Sequence, residues 1–163
     1  MKGSESCFAF LVLLVPIVTF PGSITFANWD APYGLYKDLS TWLGSTVGGW
    51  LLLIAYGVWN WRRGKIRVSY LVALVLLIVA TSLIGYMTEL AGISVVRYVA
   101  SGVIGFFLSL MLLPSIAYVV SHLHPYDRPL LLAWLVMTVA ALLFGTACLK
   151  KRRELREPRS RAP

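Results

Sequence analysis

The sequence predicts an all-α, polytopic integral membrane helix bundle with four spans after an N-terminal signal peptide or signal anchor, five hydrophobic segments in total. Three observations predict it. Hydrophobic residues make up 58% of the 163 and charged residues only 13%, against roughly 45–50% and about 25% in a soluble domain, so a water-facing fold would leave much apolar surface uncovered. The apolar residues fall in runs close to the roughly 20 needed to cross a hydrocarbon core. The charges are confined to the two termini and to short stretches between those runs. The predicted organisation is residues 1–27 as a signal peptide or first transmembrane helix, 28–149 as a membrane domain, and 150–163 as a basic, poorly folded tail.

Residues 1–6 form a weakly charged start in which Lys2 and Glu5 cancel, and the apolar run Phe8–Phe20 follows. Pro21 and Gly22 predict a break after it, which makes the run short for a span and suitable for a signal h-region, with Thr25-Phe26-Ala27 as a small-x-small cleavage site. The reading favours a cleaved signal peptide over a retained first helix. Asn28 to Ser40 reads as a connector, with Trp29, Tyr33 and Tyr36 as headgroup-level anchors and Pro32 and Gly34 marking a turn.

The first span of the membrane domain is predicted at about 42–61. Gly44, Gly48 and Gly49 lie in its first half, and small residues at four-residue spacing permit close backbone approach to a neighbouring helix where lipid offers no hydrophobic drive to association. The sequence leaves open whether that neighbour belongs to this chain or to another protein. A hydrophilic knot, Arg62-Arg63-Gly64-Lys65-Ile66-Arg67, separates it from the second span at 68–88. Glu89 closes that span and Arg97 precedes the next, as a possible ion pair or, at membrane depth, a proton or cation relay.

The third span is predicted at 98–120, with a second ladder of small residues, Ser101, Gly102, Gly105 and Ser109, and a kink at Pro114, where a backbone donor is lost and a carbonyl freed. The connector beyond it carries both histidines. Extended geometry ahead of Pro125 could turn His122 and His124 to one face with Asp127 as a third metal ligand. Three or four well-placed ligands are required for zinc and no nearby Cys or His completes the set, so these three are weak candidates and Asp127 reads equally well as a helix N-terminal carboxylate. No metal or cofactor is predicted. The fourth span is placed at 130–149 and ends at Lys150-Lys151-Arg152-Arg153, the start of a tail holding seven of the fifteen basic residues.

Cys7 and Cys148 stand at opposite ends of the chain with no redox or metal-ligand spacing. The basic clusters Arg62, Arg63, Lys65, Arg67 and Lys150–Arg153 are read as contacts for anionic lipid headgroups, with no role for nucleic acid. Their sidedness is inconsistent: three predicted spans lie between them, so one cluster must be outside or one segment must fail to cross, the segment with Pro114 being the most suspect. If all three cross, the reading places the knot inside.

No nucleotide-binding glycine loop, HExxH or intramembrane Ser-His or Cys-His pair is present. The predicted function is a non-catalytic integral subunit of a larger complex in the cell membrane, packed against other integral membrane subunits. A small transporter or permeation module is the alternative. A membrane enzyme working at headgroup level through His122, His124 and Asp127 is the second alternative.

Overall fold

The computed structural model describes residues 3–27, 34–89, 94–112 and 128–154, the side chains of Glu89 and of residues 151–154 excepted. Within these residues the chain is helical apart from residues 34, 63–67, 94 and 112: α1 Gly3–Ala27, α2 Leu35–Arg62, α3 Val68–Glu89, α4 Val95–Met111 and α5 Arg128–Glu154. Four of them, α1, α2, α3 and the Arg128–Lys150 part of α5, are long and apolar enough to cross a membrane. α4 has 17 residues, about 26 Å of helix at 1.5 Å per residue, short of a core roughly 30 Å thick.

Two sequence expectations are corrected here. Pro21-Gly22 does not break the first segment: α1 runs through Pro16 and Pro21 to Ala27 as one helix of 25 residues. It continues because, as shown below, the backbone groups that the prolines release find partners on other helices. The third predicted span, 98–120, is helical over Val95–Met111; its Pro114 lies outside the described residues, as do Trp29, Pro32 and Tyr33 of the first connector.

α1 and α2 run antiparallel. Phe8 stacks on Tyr56, Thr19 meets Thr46, and Phe20 meets Trp42 edge-on. One end of the bundle therefore carries the start of α1 and the end of α2, and the other carries the end of α1 and the start of α2. The α2–α3 turn closes the first end by a Schellman arrangement. Lys65 N–H donates to Asn60 O at 2.9 Å, Gly64 N–H donates to Trp61 O at 2.8 Å, and Gly64 takes the left-handed φ of 65° that a Cβ would oppose. Ile66 then turns into the core beside Leu74 and Phe8.

α5 packs chiefly on α1 and is antiparallel to it. Leu130 sits with Phe20, Ile24 and Trp42, and Gly145, near its other end, faces the ring of Phe10. α5 thus ends where α1 begins. α4 lies against the first half of α2: Tyr98 reaches Ser40, Gly102 meets Gly44 and Gly48, Phe106 meets Gly49, and Ser109 backs onto Gly22 in the last third of α1. Its last turn and the first turn of α5 therefore occupy the same half of the bundle. The knot at 62–67 and the end of α5 come out at one end, called the basic end below.

Candidate functional site: a polar seam around helix α1

Proline in a helix removes the N–H that would bond to the carbonyl four residues back. Pro16 releases Val12 O and Pro21 releases Ile17 O. In a medium with no water each would cost free energy if left alone. Trp50 of α2 donates its indole N–H to Val12 O at 2.9 Å, and Trp134 of α5 donates to Ile17 O at 2.9 Å. Trp42 donates to Pro16 O, also at 2.9 Å. The two proline-freed carbonyls are therefore keyed to two different helices, and α1 is the post on which both are hung.

Between these points the hydroxyls of the interior are engaged. Thr19 Oγ1 bonds its own Val15 O at 3.0 Å and lies 3.1 Å from Thr46 Oγ1. Ser23 returns to Phe20 O and Ser109 to Gly105 O. Tyr98, almost fully buried, donates to Ser40 O at 3.0 Å, which fixes the entry of α4 against the start of α2. Hydroxyls bonded back to their own helix keep a dry interface polar without leaving an orphaned group.

The small-residue ladders meet each other. A Cβ on Gly48 would lie 2.5 Å from the carbonyl carbon of Gly102 and 2.8 Å from Val103 Cα; one on Gly22 would lie 2.6 Å from Ser109 Cα; one on Gly105 would lie 2.8 Å from Ser45 Oγ. Gly44 faces the Tyr98 ring, and Gly49 faces Val15 and Phe106. The neighbour that Gly44, Gly48 and Gly49 require is thus α4 of the same chain, with α1 completing the contact. Ser101 is the exception. It is exposed and bonds Tyr98 O of its own helix, while Gly102, one position on, supplies the close approach.

Two carboxylates are buried among the described residues. Glu5, 1% exposed, pairs with Arg67 Nε at 3.2 Å, while the Arg67 side chain remains 75% exposed; Ser4 Oγ adds a bond to Lys65 O. The start of α1 is thereby fastened to the α2–α3 turn. Asp38 is fully buried in the first turn of α2, where helix N–H groups favour a negative charge. Of the other predicted site residues, Arg97 is exposed and its N–H bonds to the Ser94 cap, and it has no carboxylate partner among the described residues. The side chain of Glu89 and the whole of His122, His124 and Asp127 lie outside the described residues. Among the described residues no three His, Cys, Asp or Glu side chains come together.

Sequence reasoning missed Glu5, Asp38, the Thr19–Thr46 pair, Gly22 and the three bonding tryptophans. A signal was present for the tryptophans. Trp50 and Trp134 stand inside apolar runs instead of at the headgroup belt, and each prolyl residue of α1 announces a carbonyl in need of a donor. Nothing in the sequence pairs Glu5 with Arg67, 62 positions away.

No protein-family model, curated protein or solved structure matches this chain.

Proposed function

We propose that the protein is a non-catalytic integral subunit of a multi-component assembly in the cell membrane, and that α1 remains part of the mature bundle. The observation that carries this reading is the destination of the interior polar groups. Indole, hydroxyl and phenol donors of the seam bond helix to helix or back onto their own helix, and the glycine faces close to backbone contact. Such an interior holds a shape. The outside stays apolar along α3 and α5, where Val72, Leu76, Leu83, Leu132, Val136 and Leu143 are all exposed, and where lipid or another subunit would lie. Retention of α1 is supported by the same contacts, since its removal would strip donors Trp42, Trp50 and Trp134 of their acceptors together.

The test is native mass spectrometry after gentle extraction from the source membrane. Fixed stoichiometric partners, with residues 1–27 present in the intact mass, are the expected result. A protein arriving alone or only as a homo-oligomer would overturn the subunit reading, and a mass lacking those residues would overturn the retention of α1.

A second reading is favoured by one observation, the fully buried Asp38 beside a short helix confined to half the bundle. Carboxylates buried within a helix bundle mark ion pathways, and incomplete helices mark substrate sites in transporters. On this reading the chain is a permeation module, and Asp38→Asn in reconstituted vesicles changes cation or proton flux. Unchanged flux would remove it.

A further inference from the structure

We propose that the basic end is one continuous cationic surface whose ligand is the anionic headgroup layer of a phospholipid leaflet. The sequence holds two separate basic clusters; the fold brings the start of the second, Lys150, to the end of the bundle that holds the first. α5 runs antiparallel to α1, with Gly145 against Phe10, so Lys150 and the Lys151–Arg153 turn come out at the end that also holds the α2–α3 turn. That turn is held in place from both sides, by its Schellman bonds and by the Glu5–Arg67 and Ser4–Lys65 contacts with α1.

Arg67 pairs with Glu5, but other cations at this end have no such partner among the described residues. Arg62, Arg63, Lys65 and Lys150 are exposed and have no carboxylate partner among the described residues. Arg63 lies over the Trp59 ring, 4.2 Å from its centroid, and Trp59 and Trp61 are 58% and 45% exposed. Exposed indoles beside guanidinium groups at the end of α2 match the layered chemistry of a headgroup region: aromatic rings at the boundary, cations among the phosphates. Among the described residues the opposite end carries only scattered cations by comparison, Lys37, Arg97 and Arg128. A water-facing surface with this much uncompensated charge needs a dense anionic counterpart, and a leaflet rich in anionic lipid supplies one.

This inference is independent of the subunit reading. Its test is native mass spectrometry of the full chain in neutral micelles with equal amounts of phosphatidylglycerol and phosphatidylcholine of matched acyl chains. The wild-type protein retains phosphatidylglycerol in preference, and neutralising Arg62→Gln, Arg63→Gln and Lys65→Gln weakens that preference by roughly fivefold per cation removed. Lys37→Gln with Arg97→Gln, at the other end, leaves it unchanged. Because the substituted side chains are exposed, folding is checked by an unaltered helical circular dichroism spectrum, and raising the salt concentration on the wild-type protein must shrink the preference without any substitution. Equal retention of the two lipids by wild-type protein would overturn the proposal. So would a preference that survives the triple change, or one lost through Lys37 and Arg97 instead.

Discussion

If Trp134 serves to satisfy the carbonyl that Pro21 releases, the two residues must be coupled energetically, and in a way that packing alone does not produce. Trp134→Phe keeps a ring against Phe20, stacked on it at 5.4 Å between centroids, but removes the donor 2.9 Å from Ile17 O. A buried carbonyl left without a partner costs about 1–3 kcal/mol, and interhelical hydrogen bonds measured in membranes average about 0.6 and reach about 1.7 kcal/mol. Pro21→Ala supplies the missing N–H from within α1, so the same Phe substitution in that background loses packing only. The expected coupling is therefore about 0.6–1.7 kcal/mol, Trp134→Phe being the milder change when residue 21 is Ala. Reversible unfolding in mixed micelles of a mild detergent and dodecyl sulfate, followed by circular dichroism, measures all four corners of the cycle. Trp42→Phe is the control, since Trp42 bonds Pro16 O, an oxygen that neither proline orphans. A Trp134 effect identical in the two backgrounds, within the additivity error of about 0.3 kcal/mol, would refute the account of α1.

Gly48→Ala places a methyl against Gly102 and Val103 backbone that cannot rotate away and should destabilise by about 1–3 kcal/mol, whereas Gly145→Ala meets only a Phe10 ring carbon at 3.4 Å and should be neutral or stabilising by up to about 1 kcal/mol; the same unfolding assay ranks them, and equal stabilities would refute the close approach. Arg67→Gln takes the guanidinium away from the buried Glu5, while Glu5→Gln leaves an arginine that is already mostly in water, so the arginine change should be the more destabilising of the two and the double variant should resemble Glu5→Gln. The reverse order would sink the pairing. Cys7 and Cys148 lie at the basic end on α1 and α5, one exposed and one partly so. An impermeant maleimide added to one side of sealed vesicles of uniform orientation should label both or neither, and labelling of one alone would contradict the antiparallel arrangement.

Composition and run length sufficed for the class and for three of the helices, because an apolar run of span length has few folds open to it in lipid. The same reasoning failed at Pro21-Gly22 for a physical reason. Local rules treat proline as a helix breaker because the freed carbonyl has no donor, and the donor here is an indole 117 positions away. The glycine ladders were legible as close-approach faces. Their partner was not, because small-residue spacing encodes how near another backbone can come and says nothing of whose backbone it is. Glu5 and Asp38 were invisible as buried groups, since burial of a helix-end charge depends on which neighbour covers it. The histidine connector and Pro114, the residues the sequence made most suggestive, lie outside the described residues.

The conflict over sidedness bears on α4. Counting three crossings between the knot and the tail puts the two basic clusters on opposite faces, against the rule that positive loops stay on one side. In the bundle, α3 carries the chain away from the basic end and α5 carries it back, while α4 begins at Tyr98 beside Ser40 and ends with Ser109 still against Gly22, within the half in which α5 begins. Among the described residues two helices between the clusters, α3 and α5, run the length of the bundle, an even number, and the knot and the end of α5 fall at one end. With α4 held in one half, a strongly basic chain, eight positive charges in excess, brings the knot at 62–67 and the end of α5 to one end of the bundle.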